Sequence, residues 1–123
     1  MKTGEEVKNR ALQLLNYTDA RGRADSTLYA DVAARSLAIV NQIYAECWYS
    51  CKGDGFEELA TLTQELQLPR RIVDEVMPYG AAMLMAQSIG DADNQTMMTD
   101  IYNQKRALLT QTPRREDVMP RAV

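Results

Sequence analysis

The sequence contains no histidine and only two cysteines among its 123 residues. Histidine is the commonest general base, a frequent zinc ligand and a partner in the Ser-His and Cys-His nucleophile pairs. Its absence therefore argues against most enzyme classes. We expect a protein that is not an enzyme and that uses no cofactor and no metal.

Long apolar runs are also missing. The longest unbroken run of small or apolar residues covers residues 80–86, and the first ten residues are charged without an apolar segment. A membrane span needs about 20 apolar residues, and a secretion signal needs an apolar stretch near its start. The sequence predicts neither of these, so we expect a cytosolic protein that does not bind membranes.

Glycine and proline are scarce, with six and four residues, whereas 46% of the chain is hydrophobic and 25% is charged. This composition is typical of a soluble globular domain rather than a disordered or disulfide-rich chain. The length is enough for one domain with a single core. The net charge of −3 gives the whole molecule no electrostatic reason to collect on DNA, RNA or anionic lipid.

Helical periodicity dominates the first half of the chain. Thr3 has the pattern of a cap for a first helix, which ends before a turn-rich loop of residues 16–25. This loop carries Arg21 and Arg23. Residues 27–50 contain neither glycine nor proline and show a wide apolar stripe, which predicts the longest helix.

The middle of the chain contains clear breakers. Residues 51–67 begin with a glycine-rich turn, and we expect them to be irregular with one short helix. Pro69 is well placed to start the next helix, and Pro78 is expected to kink or divide it. Gly90 marks its end.

The last helix is predicted to begin at a cap formed by Asp91 or Asp93 and to end at Leu109. Residues 110–123 contain no core pattern. The sequence therefore predicts an all-α domain over residues 1–109, with four to five helices around the long central one, followed by an extended C-terminal tail.

Several polar or reactive groups have simple structural interpretations. Cys47 and Cys51 lie four residues apart on a predicted helix, but without histidine they lack the ligands for a tetrahedral metal site, so we expect them to behave as small apolar residues. Arg70 and Arg71 are each followed four residues later by a carboxylate, a spacing that favours ion pairs on a helix surface.

Methionine is abundant, with seven residues. Filling the core is its usual role, but this number also favours an adaptable surface that faces a partner. The candidates are Met77, Met83, Met85, Met97 and Met98. Trp48, Tyr49 and Tyr79 are likewise expected to anchor either the core or an interface.

The apolar spacing of residues 62–77 resembles a DNA-reading helix-turn-helix. In this alternative, Arg70 and Arg71 would begin the recognition helix and meet phosphates or guanines. The positions that usually hold a small residue and a turn glycine are occupied by Thr63 and Gln67, and two carboxylates would face the DNA. We keep this regulator as the alternative function.

Six segments in chain order carry a resemblance to a known family. They are ALQLLNY at 11–17, VNQIY at 40–44, LP at 68–69, MPYGAA at 77–82, GDADN at 90–94 and YNQKR at 102–106. The set is spread in order over most of the chain and resembles the small head-tail connector, or adaptor, proteins of tailed bacteriophages and prophages.

The resemblance implies a helical structural protein that docks as a ring on the portal vertex of the DNA-filled head. Its implied partners are further copies of itself, the portal protein and the next neck or tail component, while DNA only passes through the lumen. The implied location is the virion neck, and the cytoplasm of the bacterial host during assembly.

The resemblance also gives residues 110–123 an implied role as an arm that orders on the portal or on a neighbouring subunit. The alternative is a disordered end, since this segment is polar and interrupted by proline. The predicted partner-binding residues of the whole chain are Arg21, Arg23, Trp48, Tyr79, Met97, Met98, Arg114, Arg115 and Arg121.

Overall fold

Five helices build the part of the chain that this computed structural model describes, which comprises residues 2–17, 32 and 34–118, with side chains up to residue 109. In chain order they are α1 (Gly4–Leu14), α2 (Ser36–Cys51), α3 (Arg70–Glu75), α4 (Met77–Ile89) and α5 (Ala92–Val118). These described residues contain no strand, only an isolated antiparallel bridge between Thr3 and Glu65. The predicted all-α fold is confirmed.

The helix α1 begins at its predicted cap. Thr3 Oγ1 accepts a hydrogen bond from the amide of Glu6 at 3.3 Å. Beyond the helix, Asn16 adopts a φ of 63°, a left-handed conformation that asparagine tolerates better than most residues. The side chains that α1 and the following turn bury in the core are those of Val7, Ala11, Leu12 and Leu15.

The helix predicted over residues 27–50 is broken at Arg35, with Val32 and Ala34 helical before the break and the helix α2 after it. The helix α2 starts at Ser36, because Arg35 leaves helical geometry with a φ of −94° and a ψ of 2°. The Ser36 hydroxyl donates to the carbonyl of Val32 at 3.1 Å, an alternative bond that competes with the regular helical ladder. The prediction of an unbroken helix over residues 27–50 is therefore wrong at Arg35, and residues 27–31 and 33 lie outside the described part.

No helix is present in residues 53–69, which connect α2 to α3. Gly53 and Gly55 take φ values of 87° and 79°, which a helix does not allow. The Asn41 side chain holds the backbone of Leu59, donating to its carbonyl at 2.9 Å and accepting from its amide at 2.7 Å. The predicted short helix is therefore replaced by an irregular segment that is fixed from α2.

The breakers predicted around α4 are confirmed. Pro69 directly precedes α3, and Pro78 lies in the first turn of α4, where a missing amide hydrogen costs nothing. Val76 separates the two helices. Gly90 ends α4 with a φ of 75°.

The helix α4 contacts each of the other four helices. It is apolar on most sides, and its buried residues are Met77, Pro78, Gly80, Ala81, Ala82, Met85 and Ala86. A Cβ atom placed on Gly80 would lie only 2.8 Å from Tyr102 Cε1 and 2.9 Å from Ile43 Cδ1. This glycine therefore lets α2 and α5 approach α4 closely. The helix α4 takes the central place that was predicted for residues 27–50.

The helix α5 begins at Ala92 and is capped by Asp91, one of the two predicted caps. Asp91 Oδ1 accepts from the amide of Asn94 at 3.3 Å, and the Tyr17 hydroxyl donates to Asp91 Oδ2. The helix continues to Val118, beyond its predicted end at Leu109. Residues 110–118 include Pro113, whose ring and missing amide hydrogen disfavour a helix interior, so local propensity does not explain this extension.

Asp91 is expected to make the stability of the protein depend on pH in the acidic range. Hydrogen bonds from Tyr17 and Asn94 lower the pKa of Asp91 below its ordinary value. A lowered folded-state pKa adds stability that is complete above the unfolded pKa and is lost as the pH falls through the folded value. We expect Asp91→Asn to flatten the decline in stability below about pH 5, as measured by urea unfolding at a series of pH values. An unchanged acid slope would contradict this role.

Candidate interaction surface

The cysteines are not activated as nucleophiles. Burial raises the pKa of Cys47 to about 12 and also raises the pKa of Cys51. Both thiols are therefore protonated at neutral pH, whereas the thiolate is the reactive form. Cys47 lies in the hydrophobic core, which agrees with the apolar role predicted for it.

A polar network ties α5 to α2. The buried Tyr102 hydroxyl donates to Glu46 Oε1 at 2.7 Å, and Arg106 lies 3.4 Å from the same oxygen. Burial raises the pKa of Tyr102, so this phenol stays protonated and acts as a donor. The network is a structural link between the helices.

The described residues contain no group of three side chains suited to a metal ion. Within the same part of the chain, no helix combines the length and the apolar character needed to cross a bilayer.

The helix-turn-helix geometry is absent from residues 62–77. Residues 61–64 form turns instead of a first helix, and α3 has only six residues. Arg70 and Arg71 pair with carboxylates on the next turn, at 3.1 Å and 3.3 Å. The predicted ion pairs are therefore confirmed, and the segment lacks the shape that places a recognition helix in a DNA groove.

A groove of about 310 Å³ lies where the end of α2, the helix α3 and the helix α5 meet. Its apolar lining is formed by Cys51, Pro69, Ile72, Val76, Leu108 and Leu109, and its charged rim by Arg71, Glu75 and Lys105. Leu108 is 58% exposed. We call this feature the α3-α5 groove.

A second surface combines aromatic rings with carboxylates. Tyr49 is 55% exposed, and its ring lies 5.9 Å from the ring of the half-buried Phe56. Glu57 and Glu58 follow directly and are both exposed. We call these four residues the aromatic-acidic face.

The structure divides the predicted methionine surface. Met98 is only 3% exposed and packs in the core, so its predicted role in partner binding is wrong for this fold, because it lies on the buried side of α5. Met77 and Met85 are also buried, whereas Met97 is 48% exposed. Met83 is partly buried against the core. Only Met97 among these residues is freely available to a partner.

Two of the three predicted aromatic anchors, Trp48 and Tyr79, are half-buried, whereas Tyr49 is exposed. Trp48 Nε1 donates to the carbonyl of Asp54 at 2.7 Å, and the Lys52 ammonium lies 5.0 Å from the Trp48 ring. The ammonium of Lys105 lies 5.0 Å from the centre of the Tyr79 ring. Each ring is thus partly covered by a cation of the same chain.

The side chains of the remaining candidates lie outside the described part of the chain. Arg21, Arg23 and Arg121 lie outside the described residues, and the backbone of Arg114 and Arg115 belongs to α5 while their side chains are not described.

Sequence reasoning missed the α3-α5 groove. One signal for it was available, because adjacent leucines on a helix point about 100° apart and cannot both face a narrow core. Leu108 and Leu109 form such a pair, and Leu108 is the exposed one. The contribution of α3 to the groove depends on tertiary packing, for which the sequence has no local pattern.

Comparisons of the chain with models of protein families, with characterised proteins and with solved structures gave no match.

Proposed function

We propose that this chain is a structural head-tail connector of a tailed bacteriophage or prophage. It docks as a ring on the portal vertex and links the DNA-filled head to the next neck or tail component. The observation that carries this proposal is the ordered set of segments that resemble such proteins. It works in the virion neck and is assembled in the host cytoplasm.

The placement of these segments supports the proposal. Residues 77–82 include Gly80, where three helices meet most closely, and residues 90–94 form the capped joint between α4 and α5. These two segments therefore include positions that shape the helical scaffold.

The surface chemistry is compatible with a role in binding other proteins. Exposed apolar residues on two separate faces suit contacts with protein partners. The net charge of −3 would let DNA pass through a ring without being held by it.

Binding to heads tests the proposal. DNA-filled, tailless heads of the phage or prophage that encodes the chain should retain it during sedimentation, because the portal vertex offers its docking site. Empty capsids without a portal serve as the control. Equal recovery with both kinds of particle, or recovery with neither, would contradict the connector function.

Removal of residues 110–123 is expected to abolish head binding while leaving the thermal unfolding of the helical domain unchanged. Leu109, which packs against the core, is kept in the truncated chain, and the segment removed is the proposed arm. Circular dichroism reports the melt, and co-sedimentation with heads reports binding. A truncated chain that still binds heads would refute the role of the arm.

A further inference from the structure

The apolar floor of the α3-α5 groove is exposed mainly at Pro69 and Leu108, whereas Ile72 and Val76 are buried. Ile72 and Val76 line it from the α3 side, and the 58% exposed Leu108 lines it from α5. Exposed apolar surface with a polar rim is typical of a protein contact site. The groove therefore needs an occupant with apolar side chains.

The rim of the groove carries an excess of positive charge. Arg71 lies 3.3 Å from Glu75 and is neutralised by it. Lys105 contacts the Tyr79 ring, and among the described carboxylates none lies within ion-pair distance of its ammonium. Two cations against one carboxylate leave a net charge of +1, so a complementary occupant carries carboxylates beside its apolar groups.

The aromatic-acidic face has this combination. Tyr49 and Phe56 supply adjacent rings, and Glu57 and Glu58 supply two carboxylates that have no ion-pair partner among the described cations. Its charge of −2 is opposite in sign to that of the groove rim, and such complementarity favours and orients association.

The two surfaces share no residue, and each includes one residue of α2. Cys51 lines the groove and Tyr49 belongs to the aromatic-acidic face. Residues two positions apart on a helix point about 200° from each other. One copy therefore offers the groove and the complementary face as two different surfaces, as a heterologous contact between identical chains requires.

We propose that the α3-α5 groove binds the aromatic-acidic face of a second copy of this chain. Lys105 meets Glu57 or Glu58 across the contact, and the rings of Tyr49 and Phe56 cover the apolar floor. The contact is heterologous, so repetition closes a ring or extends a filament. As the lateral contact of the connector ring, it rests on the proposed function.

Charge reversal tests this contact. Sedimentation velocity at low ionic strength, where screening is weak, measures self-association of the full chain up to millimolar concentration. Lys105→Glu should weaken association by about tenfold or more, because like charges then face each other. Glu57→Lys/Glu58→Lys should do the same.

The combined variant gives the decisive result. A chain with all three substitutions carries both reversed surfaces and should regain association close to that of the unmodified chain. Lys105→Arg, which keeps the charge, and Asp100→Lys, a reversal on α5 outside both surfaces, should associate normally. Thermal melts of each variant confirm folding.

The proposal is overturned if the unmodified chain stays monomeric throughout, if either reversal leaves association unchanged, or if the combined variant does not recover. A monomeric chain that still sediments with filled heads would overturn this contact and leave the connector function intact. A chain that associates as described but does not bind to heads would overturn the connector function and leave the contact intact.

Discussion

Gly80→Ala is expected to destabilise the protein by about 2–3 kcal/mol, the cost of overpacking a tight core. The added methyl group would lie 2.8 Å from Tyr102 Cε1 and 2.9 Å from Ile43 Cδ1. In an open helical site the same substitution stabilises by roughly 1 kcal/mol. A loss of stability instead of a gain would therefore show that three helices approach closely at Gly80. Urea denaturation measures it.

A double variant provides the control for this prediction. Ile43→Val removes the Cδ1 atom that the new methyl group would strike, so its combination with Gly80→Ala should cost less than the sum of the two single changes. Strict additivity, or a Gly80→Ala protein as stable as the unmodified one, would show that the helices do not meet closely at this residue.

Asn41→Ala is expected to cost about 3 kcal/mol, because two backbone groups lose their partner at once. The buried Asn41 side chain binds both the amide and the carbonyl of Leu59, which is itself 6% exposed. Loss of this bond should also speed hydrogen exchange at the Leu59 amide.

The neighbouring Gln42→Ala is the matched control. Gln42 is exposed on the same helix, so its removal should change stability by less than about 0.5 kcal/mol. Equal stability of the two variants in urea would mean that Asn41 does not hold the segment that carries Glu57 and Glu58. A displaced segment would also weaken the proposed contact with a second copy.

Local signals predicted the ends of helices well. Thr3, Pro78, Gly90 and Asp91 each act through the few residues around them, and each ends or begins a helix where the sequence indicates. A cap or breaker needs no information from distant parts of the chain, which is why these predictions are confirmed.

Predictions that depend on distant contacts were less accurate. Residues 53–69 contain the apolar spacing of a short helix, but the side chain of Asn41, far away in sequence, holds Leu59 in an irregular backbone. The break of the long helix at Arg35 likewise has no proline or glycine to mark it. Tertiary hydrogen bonds decided the first case, whereas a local bond from the Ser36 hydroxyl to Val32 accompanies the second.

The candidate surface was predicted only in part. An apolar periodicity assigns both Met97 and Met98 to α5 but does not say which of two neighbours faces the core, and the structure buries Met98. The aromatic-acidic face follows from adjacent sequence positions together with α2, whereas the groove requires α2, α3 and α5 to meet. The sequence alone could not bring these three elements together.

Reconstruction of virion particles by electron cryomicroscopy, without imposed symmetry at the portal vertex, tests most directly whether the chain joins head to tail. A head-tail connector added to filled, tailless heads should give a ring of helical density attached to the portal, into which residues 2–17 and 34–109 fit as a unit. A portal vertex that carries no added density at saturating protein would contradict this function.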